Sequence, residues 1–204
     1  KQQLEPLILG GGDDLDDELK GVALSALWPG YLTTEALFSV LAPPKRPNLF
    51  GAYRLFLGRL REHLTISDMP LALKWAKEQA AHSAEPPWEH DYTIEHVIDE
   101  IVVLAWQHLD DPAILNGFVA LALARLELFQ PMVSRATRVS DEGEPIQFRE
   151  ELLANNDKRR RVLRASFPIL SEYDDRLHFL AHYETPLLIP DDLGWLLEAL
   201  ETEQ

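Results

Sequence analysis

A helical phrase recurs along this chain: an Asp or Asn start, an apolar stretch, then a proline or polar stop. It appears at residues 13–28, 111–130, 156–170 and 191–200. Short polar side chains satisfy the free amides at a helix start, and proline, lacking an N–H, ends a helix it cannot continue. Segments of this form bury their apolar stripes against one another, so the phrase predicts an all-α body of stacked helices. The phrases keep no fixed period. The expected architecture is therefore an irregular HEAT-like α-solenoid or helical-pair stack rather than a uniform array. No alternating pattern calls for a sheet.

With 204 residues the chain is large enough to bury a core as one elongated domain or two small ones. Cysteine is absent, which removes disulfides, zinc–thiolate sites and a thiol nucleophile together and fits a cytoplasmic setting. A start at Lys1 without Met suggests a fragment or a processed chain, and no basic-then-apolar signal segment opens it. The most apolar run, 114–129, is interrupted by Asn116, Arg125 and Glu127 and is too short to span a membrane. A net charge of −15 opposes nucleic acid as a general partner, since phosphate binding needs positive potential.

Residues 1–12 read as a leader ending in a flexible Gly10-Gly11-Gly12 joint, and 13–204 as the helical-repeat domain. The first helix is expected over 14–27, with Leu15, Leu19, Val22, Ala23 and Ala26 as its stripe and acids at its positive end. Helices follow near 34–41, 49–63 and 67–82, the last capped by Ser67 or Asp68 with Pro70 in its first turn. Pro43, Pro44 and Pro47 make 42–48 an extended loop, and 84–91, with Pro86-Pro87-Trp88, is a possible subdomain break. Further helices are expected near 92–109, 112–130, 147–153, 157–170 and 190–201. The helix at 112–130 is apolar almost all round, hence central; 131–146 is a long loop or short turns, and 173–189 one short helix and a loop.

Catalytic signatures are missing. Gly10–Gly12 runs into Asp13 and Asp14 rather than the Lys-Ser/Thr of a phosphate loop, so no nucleotide cofactor is expected. The acids at 13–18 lack the alternating ligands and central glycine of a calcium loop, and helix capping accounts for them. His178 and His182 share a helix face without the Glu of a metalloprotease motif. No Gly-x-Ser-x-Gly elbow supports a hydrolase triad. Five tryptophans beside many carboxylates could suggest a sugar cleft, but Trp75, Trp106 and Trp195 lie on helical faces and suit packing. The densest acid–base group is Glu89-His90-Asp91 with Glu95-His96 and Asp99-Glu100. It reads as the wet face and cap of one helix, or, in an alternative reading, as the site of a small helical hydrolase or metal-dependent enzyme using His90, His96, Asp99 and Glu100.

The positive anomaly is Lys158-Arg159-Arg160-Arg161 with Arg164. Basic residues in a helix's first turn oppose its dipole, so something must compensate: nearby acids such as Glu150 and Glu151, or an acidic segment of a partner protein. Lys158, Arg159, Arg161 and Arg164 are therefore the expected partner-facing patch, with Lys45 and Arg46, held between prolines, as a second.

Three stretches carry a family resemblance. Leu19-Lys20-Gly21-Val22-Ala23-Leu24 through Leu27-Trp28-Pro29, and Pro43-Pro44-Lys45-Arg46 leading to Phe50-Gly51-Ala52-Tyr53, resemble helical segments behind the NTPase module of bacterial NACHT/STAND-type proteins. Residues 156–170 resemble a HEAT-repeat helix, and Leu188-Ile189-Pro190-Asp191-Asp192-Leu193-Gly194-Trp195-Leu196-Leu197 a closing phrase of the same region. The resemblance implies a non-catalytic scaffold in a larger cytoplasmic ATPase switch, sensing a trigger or packing on the nucleotide module. None of that family's catalytic residues has a counterpart here.

Overall fold

A computed structural model describes residues 4–9, 13–46, 50–82, 92–128, 130–133, 137–139, 145–170, 180–181 and 184–202. The elements in chain order are α1 (Glu5–Ile8), α2 (Glu18–Leu27), α3 (Thr34–Val40), α4 (Ala52–Gly58), α5 (Leu60–His63), a 3-10 turn (Ile66–Asp68) and α6 (Met69–His82). Then come α7 (Tyr92–Gln107), α8 (Pro112–Glu127), strands β1 (Thr137–Val139) and β2 (Pro145–Gln147), α9 (Phe148–Ala154), α10 (Asn156–Leu170), a second 3-10 turn (Pro190–Asp192) and α11 (Leu193–Thr202). The fold is all-α, as the phrase predicts. A departure is the antiparallel β1–β2 hairpin, pairing Arg138 with Ile146, which occupies part of the 131–146 stretch expected to be loop and takes in Gln147, expected to open the next helix. The Gly10–Gly12 joint and the 84–91 break lie outside the described residues.

Helix starts follow the local chemistry. Asp111 accepts from the amides of Ala113 and Ile114, and Pro112, with no N–H to lose, opens α8. Thr33 caps α3 through the Ala36 amide, and Asn155 caps α10 through that of Lys158. Ahead of α6 the Asp68 carboxylate gathers the chain: Thr65 donates its hydroxyl and its amide to it (2.6 and 2.9 Å), and the Thr34 hydroxyl adds a third bond. The expected helix at 49–63 breaks at Arg59, after Gly58, the amide there turning back to Phe56 O in a tighter bond.

The long helices pack around α6 and α8, which lie side by side with Leu73 against Gly117. α7 packs across α6 and also touches α8, α4 and α5; α10 covers the other side of α8; α3 packs on α6. The core-facing stripe of α7, with Ile94, Val97, Ile98, Ile101, Val102, Ala105 and Trp106, is buried as its periodicity predicts. So are Trp75, which meets Phe38, and Phe118, which meets Trp106. α8 is central, and its arginine is buried too: Arg125 Nη1 donates to Asp99 Oδ1 on α7 at 2.8 Å and to Met132 O at 2.9 Å.

α2 overturns an expectation. It begins at Glu18, not Asp14, because Asp17 adopts a left-handed conformation (φ 60°) and Asp14 folds back to accept from the amides of Leu19 and Lys20. Its buried residues are Lys20, Gly21, Ala23, Leu24 and Leu27, so of the expected stripe Ala23 is buried whereas Leu15, Leu19, Val22 and Ala26 face outward. The cause is the contact with α4. Gly21 admits the α4 backbone so closely that a Cβ there would lie 2.1 Å from Tyr53 N and 2.3 Å from Ala52 C. Lys20 lays its ammonium over the Tyr53 ring, 4.4 Å from the centroid; burial is the largest influence on it and lowers its pKa.

Gly21→Ala is expected to destabilise the protein by about 1–3 kcal/mol in urea unfolding, despite alanine's higher helix propensity, because backbone must move. Gly117→Ala meets only the Leu73 side chain, at 3.0 Å or more, and is expected to change stability by less than about 1 kcal/mol. A Gly21→Ala protein as stable as the parent would contradict this packing.

Asp68 makes a pH-dependent contribution. Burial raises its pKa, but the bonds from Thr34 and Thr65 outweigh it and hold the group below its ordinary value. A depressed folded-state pKa contributes stability above the unfolded value, and that stability is lost as pH falls through the folded one. Asp68→Ala is expected to cost about 1 kcal/mol at neutral pH. The difference from the parent should shrink below pH ~4, as read from unfolding midpoints across an acid series.

Candidate recognition surface

The basic run at the start of α10 is engaged within the fold. Arg159 is fully buried: Nη2 and Nε bond the Asp192 carboxylate at 2.9–3.1 Å, and Nη1 donates to Leu152 O at 2.9 Å. This overturns the expectation that Arg159 faces a partner, since a side chain with no exposed surface cannot. Arg160 reaches the same carboxylate, Nε to Oδ1 at 3.0 Å. Lys158 donates its ammonium to Trp106 O at 2.9 Å, at the negative end of α7. Arg161 pairs with Asp110, holding that exposed carboxyl below the ordinary range, and Arg164 stands over the Trp195 ring at 5.6 Å, beside Arg160 at 5.4 Å. Of the expected patch, Arg161 and Arg164 keep substantial exposed surface. The cost of cations in a first turn is offset by Asp192, carried on the turn that leads into α11.

Lys45 and Arg46 also turn inward to acids. The backbone amide of Lys45 donates to Asp17 Oδ2 at 2.7 Å, and its ammonium donates to Asp14 O at 2.7 Å and stands 3.2 Å from Asp17 Oδ1 as an ion pair. Arg46 lies 3.8 Å from Asp16, both partly exposed. The acid cluster before α2 thus anchors the proline-rich loop.

The group considered for catalysis is divided. Asp99 is buried against Arg125, Glu100 pairs with Arg61 on another side of α7, and His96 is exposed. Glu89, His90, Asp91, His178 and His182 lie outside the described residues. Among the described residues, no three His, Asp or Glu side chains gather where they could hold a metal.

The surface that the packing creates lies on the outer side of α2 and α4. Leu15 is 67% exposed, Leu19 51%, Val22 58%, Leu55 56% and Phe50 84%. An open groove of ≈540 Å³ runs between α2 and α4, walled by Val22 and Ala26 on one side and Leu55 and Arg59 on the other, with Trp28 and Phe56 beneath. A second, of ≈410 Å³, lies between α4 and α7, where Phe50 and Arg54 face Thr93 and His96. Leu55 and Arg59 line both, one helical turn apart, and form the ridge between them. Arg54 Nε donates to Thr93 Oγ1 at 2.7 Å, while Arg59 is exposed and makes no ion pair among the described residues. The Leu15–Leu19–Val22–Ala26 spacing was the available signal for this surface, but periodicity alone assigns such a stripe to the core.

No family model, curated protein or solved structure matches this chain.

The Arg159–Asp192 pair is open to a direct test. Asp192→Leu strands a buried guanidinium and is expected to cost about 3–5 kcal/mol in chemical unfolding, whereas Arg159→Met with Asp192→Leu should recover at least half of that. A single-variant cost below about 1 kcal/mol would show that the pair does not hold the C-terminal turn.

Proposed function

We propose that this chain is a non-catalytic helical recognition and scaffold domain whose partner surface is the outer face of α2 and α4. The observation that carries the reading is the exposure of Val22, Ala26 and Leu55 along one groove, with Leu19 exposed one turn back on α2 and Phe50 exposed in the adjoining groove, on a chain of net charge −15. Apolar surface gathered around a groove marks an interaction site, whereas single exposed leucines do not. The mechanism is recognition and relay: a HEAT-like helical stack offers a long face, and small rotations between packed helices pass binding to an attached module. The phrases shared with helical regions of NACHT/STAND-type proteins support placement beside an NTPase module in the cytoplasm, with protein rather than nucleic acid as the partner. Arg46, Arg161 and Arg164 retain exposed surface and serve as secondary contacts in this reading. Among the described residues, no helix is long and apolar enough to cross a membrane.

Site-specific photo-crosslinking in cells that make the protein tests the reading. A benzophenone side chain placed at Val22 or at Leu55 is expected to yield one common protein adduct, or a defined crosslink within a longer chain. The same probe at Lys77, an exposed residue of α6, should not. Equal yields from all three positions, or none from any, would remove the α2–α4 face as a recognition surface.

A further inference from the structure

We infer that the α2–α4 face takes an amphipathic helix whose apolar stripe is flanked by carboxylates. The inference rests on the reading of that face as a recognition surface, and it specifies the partner's chemistry.

Shape argues for a helix. α2 and α4 run side by side with their N-terminal ends together: Glu18 Oε1 accepts from the Ala52 amide at 2.9 Å, and Trp28, at the other end of α2, meets Phe56 edge-on with centroids 6.3 Å apart. The groove between two helices in such contact receives the side-chain ridge of a third. The outward residues Leu19, Val22 and Ala26 span i to i+7, about 10 Å of helix at 1.5 Å per residue. An occupant presenting apolar residues at i, i+3 or i+4, and i+7 covers the same length, which is the spacing of helix-in-groove recognition. Both walls of this groove are helical, so among the described residues it offers no sheet edge whose exposed donors and acceptors would favour an extended peptide.

Charge argues for acidic flanks. Acids outnumber lysine and arginine 34 to 19 in the chain, yet among the described residues neither groove is lined by a carboxylate, and Glu18, at the start of α2, is taken up by the Ala52 amide. The ionisable side chains that do line them are Arg59 and His63 in one, and Arg54, Arg59 and His96 in the other. Arg59 stands on the ridge between the grooves without an ion-pair partner among the described residues, so an incoming carboxylate displaces no internal bond there. One such contact is worth about fivefold in affinity, and repulsion of a basic flank by the same guanidinium widens the difference between acidic and basic occupants to about tenfold. A basic helix would meet like charge at the same positions.

Binding to synthetic peptides tests the inference. The probes are two fluorescent peptides of about eighteen residues with one leucine stripe at helical spacing, flanked by Glu in one and by Lys in the other. The Glu peptide is expected to bind at least about tenfold more tightly by fluorescence anisotropy, with amide shifts centred on Val22, Leu55 and Arg59. Arg59→Glu should abolish or reverse that preference, and Leu55→Glu should weaken both peptides; both sites are exposed, and circular dichroism verifies that each variant is folded. Equal binding of the two peptides, tighter binding of the Lys peptide, or saturable binding of neither would overturn the inference. If the crosslinks from Val22 and Leu55 still form, and the captured segment is basic or extended, recognition at this face stands and the acidic helix falls. If the crosslinks fail as well, both readings fall.

Discussion

The approach of α2 to α4 at Gly21 organises the N-terminal half of this molecule. No side chain separates the two backbones there, so α2 turns its Gly21–Leu24–Leu27 side inward and is left with Leu19, Val22 and Ala26 outside. Lys20 is carried inward beside the glycine and finds the Tyr53 ring, while the Tyr53 hydroxyl donates to Ala42 O at 2.8 Å and so ties the loop after α3 to the same contact. The groove proposed for recognition is therefore the outer side of the closest helix contact at this end of the fold. Its walls are held by backbone proximity rather than by mobile side chains.

A second constraint is the use of scarce positive charge. In a chain this acidic, buried arginines serve as internal crosslinks: Arg125 joins α8 to Asp99 of α7, and Arg159 joins α10 to the turn before α11. Lys158 and Lys45 perform similar work nearer the surface, one at the end of α7 and the other on the acidic loop. Buried pairs of this kind add little net stability over apolar residues of the same shape, but they discriminate against arrangements in which the charge is unpaired. The result is a surface on which runs of basic sequence are poor guides to function. A solitary arginine such as Arg59 is more informative than the cluster at Lys158–Arg161.

Much of the fold was legible because it depends on local chemistry. Asp111-Pro112 marks the start of α8 with a cap and a tolerated proline, and the Ile94–Val97–Ile98–Ile101 spacing assigns the buried side of α7. The hairpin was not legible, since three-residue strands give too short a pattern to register. The candidate surface was legible only as a set of residues. Leu15, Leu19, Val22 and Ala26 stand out at helical spacing, but a stripe does not say whether it is covered by the chain or by a partner. Arg159 failed in the opposite sense, its charge suggesting solvent while its fork was already matched by Asp192, 33 positions away.

The sequence by itself determined that this protein is helical, where most helices begin and end, and which helix is central. Those properties follow from capping groups, prolines and apolar periodicity, all of which act within a few residues. The tertiary structure decided which of two stripes on α2 turned inward, which cations were consumed by internal carboxylates, and hence which surface remained exposed. These outcomes depend on contacts between distant segments, such as Gly21 with Tyr53 and Arg159 with Asp192. Steric fit and charge pairing across those distances leave no trace in local pattern.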